Sequence, residues 1–122
     1  MSNYNELILP QQIKGFTYVE SDFDNSEQSF DCFSLVLAFQ TIDFLPIVDT
    51  DEIEIRIRKN DDTSIEYISN QDWNEYIGKE IKTFWKCINS QGYFDLFIFS
   101  IDSLTPTFSI LSEGSSIKVI AR

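Results

Sequence analysis

Between Asp51 and Lys59 the chain alternates without a break. Ile53, Ile55 and Ile57 are separated by Glu54 and Arg56 and flanked by Glu52 and Arg58. Successive side chains of a strand point to opposite faces, so this segment makes one dry and one wet face only as a β-strand. A helix would scatter the isoleucines around its circumference. The rest of the chain leans the same way. It holds 17 isoleucines and 11 phenylalanines but only two alanines, Ala38 and Ala121. β-Branched and aromatic side chains pack well on pleated surfaces, and the best helix former is almost missing.

Further strands follow from pattern. Ile13 to Glu20 alternates Phe16 and Tyr18 with Thr17 and Val19. Phe33 to Gln40 is nearly continuous apolar sequence, which suits a central strand covered on both faces. Thr41 to Val48 continues it after a bend or forms a separate piece near Pro46. After Asp51–Lys59, turn residues 59–63 lead to a partner strand, Thr63 to Ile68. A three-residue loop there puts Ile57 opposite Ile65 and Arg56 opposite Glu66.

Ser69 to Asp72 then reads as a helix start. Trp73, Tyr76 and Ile77 fall on one face and Gly78 is placed to end the helix. Ile81–Ile88 and Tyr93–Ile101 form a hairpin around residues 89–92. Both strands are apolar on both faces, which predicts a place in the sheet interior. A three-residue loop there places Asp95 across from Cys87. Thr107–Leu111 and Ser116–Ala121 close the chain around Glu113-Gly114-Ser115. The expected fold is one α+β domain over 1–122. It is mainly an antiparallel β meander of about seven or eight strands, with one short helix near residues 70–77.

The absence of histidine removes Ser-His-Asp, Cys-His and histidine-metal chemistry together. Cys32 and Cys87 sit in apolar stretches and form no CxxC motif, which suits reduced, buried thiols in a cytoplasmic protein. No signal peptide is recognised, and no run reaches the roughly 18 apolar residues of a membrane helix. GxGxxG, GxxxxGK[ST] and GxSxG motifs are absent. No cofactor is expected.

The formal charge is −11. Residues 1–61 hold 12 acids and 4 bases, and residues 62–122 hold 8 acids and 5 bases. Such a field disfavours nucleic acid and anionic membranes and suits a basic protein partner. Two acidic stretches stand out. One contains Asp22, Asp24 and Glu27. The other contains Asp49, Asp51 and Glu52. The second fails as a calcium loop: counted from Asp49, positions 6 and 12 are Glu54 and Asn60. No metal site is expected, and both stretches read as partner-binding surface. A rival site is Trp85, Tyr93 and Asp95 around the later hairpin. A carboxylate beside aromatic rings suits a small-ligand pocket or a carboxylate-dependent hydrolytic site.

Ile77-Gly78-Lys79, Trp85 and Asn89-Ser90-Gln91-Gly92-Tyr93-Phe94-Asp95 resemble the core of a small bacterial domain family of unknown function. That resemblance implies no activity and carries no catalytic residue. By size and charge alone the chain is also similar to bacterial immunity proteins, which neutralise secreted toxins. The leading expectation is a non-enzymatic interaction module with an acidic face for a basic protein, as in an immunity-type protein. The ligand-binding or hydrolytic domain is the alternative. A domain that self-associates into a homo-oligomer through a strand edge is the third.

Overall fold

The computed structural model describes residues 7–20, 29–60 and 73–121. Its strands are β1 (Gln11–Glu20), β2 (Ser29–Leu37), β3 (Gln40–Ile47), β4 (Glu52–Lys59), β5 (Glu80–Ile88), β6 (Phe94–Ile101), β7 (Pro106–Glu113) and β8 (Ser116–Ala121). The fold is almost all β, so the α+β expectation is corrected. Of the helix expected near residues 70–77, the described part holds a single 3-10 turn, Asn74–Tyr76. Trp73 and Tyr76 are buried as expected, but Ile77 is exposed. The physical reason is length. Gly78 ends the segment at φ 90°, and so short a piece cannot recover the cost of nucleating an α-helix.

The topology is also richer than a meander. All pairings are antiparallel, and the sheet order is β1-β5-β6-β7-β8-β2-β3-β4 with β1 also paired to β2. Six strands therefore close into a barrel, and the β3–β4 hairpin extends from β2. Closure runs through two short pairings. Gln11 and Gln12 of β1 meet Ile81 and Glu80 of β5, and Ser29 and Phe30 of β2 meet Lys118 and Ile117 of β8.

β4 buries Ile53, Ile55 and Ile57, as its alternation requires. Its pairing with β3 runs from Gln40–Lys59 to Ile47–Glu52. The expected Thr63–Ile68 partner strand, with its Ile57–Ile65 register, lies outside the described residues. Phe44 of β3 packs on Phe97 of β6 at 5.4 Å between ring centroids, so the hairpin lies over the barrel.

The core is aromatic at its centre. Trp73 is fully buried, 5.2 Å from Phe33 and 5.7 Å from Phe16, and Phe108 stacks on Phe99 at 5.1 Å. Such pairs contribute about 0.5–1.5 kcal/mol each beyond burial. β6 lies inside, with Phe97, Phe99 and Ile101 buried. β5 lies between β1 and β6 and buries Ile81 but, contrary to expectation, is not covered on both faces: Lys82, Trp85, Lys86 and Ile88 are exposed.

Candidate functional site

Three strands compete for β2, and a strand has only two edges. β1 takes one edge along Phe30–Leu37. The other edge is divided: β8 pairs with Ser29 and Phe30, while β3 pairs with Phe33 to Val36. Asp31 and Cys32 lie between, where β3 and β8 part. Beyond Phe44, its last partner on β2, β3 continues as Leu45 and Pro46. Proline lacks the N–H a ladder bond needs, so Pro46 suits a strand unpaired on one side. It still pairs with Ile53 of β4 on the other.

The parting leaves a groove of about 570 Å³ lined by Asp31, Leu45, Pro46, Val48, Gly114 and Ser115. The volume lies within the usual range of ligand clefts. Leu45, Pro46 and Val48 make much of the wall apolar. Its opposite wall is the β7–β8 turn. There Gly114 and Ser115 both have positive φ, 61° and 64°, as a tight two-residue hairpin turn demands.

Asp31 owes its position to a β-bulge. Val19 of β1 pairs with Cys32 and the next residue, Glu20, pairs with Phe30. Asp31 is the extra residue, unpaired on either edge of β2. A bulge re-aims a side chain, and here it puts a half-buried carboxylate into the groove lining. Among the described residues that carboxylate has no hydrogen bond and no ion pair.

The acidic residues marked by sequence have different fates. Asp22, Asp24 and Glu27 lie outside the described residues. Asp49 is exposed on the β3–β4 turn beside Val48. Asp51 and Glu52 are half-buried and engaged. Asp51 Oδ1 accepts from Ser115 N at 3.1 Å. Glu52 accepts from Thr50 Oγ1 at 2.9 Å and from Phe94 N at 3.3 Å. These bonds tie the β3–β4 turn to the β7–β8 turn and to β6, and so hold the groove wall.

The residues of the rival site do not converge in the same way. Trp85 is 36% exposed and pairs with Ile98, three residues along β6 from Asp95. That is roughly 10 Å at the usual rise of a strand. Tyr93 is exposed in the turn. The expected Asp95–Cys87 register is corrected: Cys87 pairs with Leu96 and Ile88 with Phe94, leaving Asp95 as the extra residue of a second bulge. Asp95 Oδ2 accepts from Asn89 Nδ2 at 3.1 Å, a bond within the turn.

Burial pushes the Cys32 thiol above the ordinary value of 9.0, which disfavours the thiolate, and its hydrogen-bond partner Ser34 only partly offsets that. Ser34 in turn donates to Asp43, which also accepts from Arg58. Among the described residues no group of three or more acidic or cysteine side chains is arranged to hold a metal ion.

Sequence reading missed Asp31, Leu45 and Pro46 as a unit. Pro46 carried the available signal, since a proline inside a strand marks an unpaired edge. The bulge had no such mark.

The chain belongs to the DUF6334 family, a family of unknown function. The match covers residues 1–122, well beyond the 77–95 segment that carried the sequence resemblance. No curated protein matches the chain, and no solved structure matches it. The family assignment therefore brings no activity with it, and the groove has to be read from its own chemistry.

Proposed function

We propose that this family member is a non-enzymatic binding module that engages a basic protein through the groove and its acidic surround. The observation that carries this reading is the carboxylate of Asp31. It lies in a partly apolar cleft and makes no ion pair among the described residues. Half-burying a charge without a partner is costly, and an incoming cation removes that cost. Exposed Asp49 and Glu113 flank the groove on its two turns. A chain of net charge −11 adds a long-range field that draws a basic partner in. Neutralising a basic toxin would be one instance of such binding.

The test is kinetic. Association with the purified basic partner is followed at several ionic strengths, for the wild type and two variants. One variant carries Asp22→Asn, Asp24→Asn and Glu27→Gln. The other carries Asp49→Asn and Glu113→Gln. The wild-type on-rate falls steeply with salt, and each variant is slower at low salt with a flatter slope. An on-rate indifferent to both salt and substitution overturns the reading.

A further inference from the structure

We infer that the groove is a slot for one lysine or arginine side chain of the partner, and that Asp31 is its specificity-determining residue. This rests on the binding-module reading above and sharpens it.

The cleft has two chemical parts. Leu45, Pro46 and Val48 are apolar, and Asp31 is the one acidic residue of the lining. Lysine and arginine have the matching division: a hydrocarbon stem that lies along apolar surface and a cationic head. Such a side chain covers Leu45, Pro46 and Val48 with its stem and meets the Asp31 carboxylate with its head. A charge-assisted hydrogen bond in a partly desolvated site is stronger than a neutral one. A purely aliphatic side chain would leave Asp31 half-buried and unpaired, and an acidic one would repel it.

The bulge sets Asp31 at this place, as the extra residue between Phe30 and Cys32 where β3 and β8 part. β3 walls the cleft on one side and the β7–β8 turn on the other.

The chain, residues 1–122, is titrated with capped pentapeptides whose central residue is lysine, arginine or norleucine, with alanine elsewhere. Binding is read from the methyl resonances of Leu45 and Val48. The lysine and arginine peptides shift both, saturably, and bind about tenfold more tightly than norleucine, as a charged hydrogen bond worth about 1.4 kcal/mol implies. Asp31→Asn lowers lysine-peptide affinity to the norleucine level, while Glu75→Gln, at an exposed acid outside the groove lining, changes it about twofold or less. Val48→Arg, at a position already 63% exposed, supplies a cation in cis and blocks the peptide without touching the bulge. Equal affinity for lysine and norleucine, undiminished binding by Asp31→Asn, or the absence of shifts at Leu45 and Val48 overturns the slot. If Asp31→Asn leaves partner binding intact while the acidic-surround variants slow it, the slot fails and the binding module stands. If the partner also ignores salt, both fail.

Discussion

Asp51 Oδ1 accepts a 3.1 Å hydrogen bond from the backbone N–H of Ser115, 64 residues further along the chain. Both residues sit in the left-handed region, at φ 55° and φ 64°. One carboxylate thus joins two strained turns, and the distance between them sets the groove wall. The acids of the β3–β4 turn are consequently of two kinds. Asp51 and Glu52 build the cleft, while Asp49 remains exposed to act at a distance.

Removing this bond should be felt in stability. Asp51→Ala leaves the Ser115 amide without its acceptor and puts a residue poorly suited to positive φ at the turn, at a cost of about 1–3 kcal/mol. Asp51→Asn keeps an acceptor oxygen and tolerates that conformation, so most of the stability returns. Urea midpoints of the two variants check this. Equal midpoints would show that the bond contributes nothing.

The aromatic centre gives a larger effect. Trp73 is fully enclosed by Phe16, Phe30, Phe33 and Phe108. Trp73→Ala removes those contacts and leaves a cavity, a loss of about 3–5 kcal/mol. Phe39→Ala, at a residue 65% exposed, should stay within about 0.5 kcal/mol. Calorimetry of the two variants separates core from surface. Similar melting temperatures would mean Trp73 is not the hub of this core.

What sequence could reveal follows from which interactions are local. The Ile53-Ile55-Ile57 alternation located β4 and its buried face, because a period of two is set by neighbours on one strand. Gly78 and Gly92 were legible as left-handed turn positions for the same reason. The exposed face of β5 was not legible. Trp85 and Ile88 read as core because they are apolar, yet closure through β1 reaches only Glu80 and Ile81. The bulge at Asp31 was hidden for a deeper reason. It depends on the register between β1 and β2, and on where β3 and β8 divide an edge. No local pattern encodes that, so the groove appears only once four strands are in place.

Cys32 predicts a pH dependence of definite sign. Burial raises its folded pKa above the ordinary 9.0, which the unfolded chain keeps. As pH rises past 9.0 the unfolded state releases its proton and the folded state holds it. Stability present below pH 9.0 is therefore lost as pH climbs toward the folded value. Tyr76 acts with the same sign from its ordinary 10.0 upward, through burial first and Glu75 second. Between pH 8 and 10 the unfolding free energy of the wild type should fall more steeply than that of Cys32→Ala. Parallel curves would show that the thiol is not desolvated by folding.

The two tryptophans offer the most direct check of the corrected sheet. Trp73 has no exposed surface, whereas Trp85 on β5 is 36% exposed. Only groups reachable from solvent are quenched by iodide, and a negative quencher is additionally repelled by an acidic protein. Acrylamide, which is neutral, avoids that repulsion. In Trp73→Phe the remaining emission, from Trp85, should be red-shifted and readily quenched by acrylamide. In Trp85→Phe the emission of Trp73 should be blue-shifted and resist quenching until the chain unfolds. Equal resistance to quenching in the two variants would show that Trp85 is covered, as a β5 apolar on both faces requires.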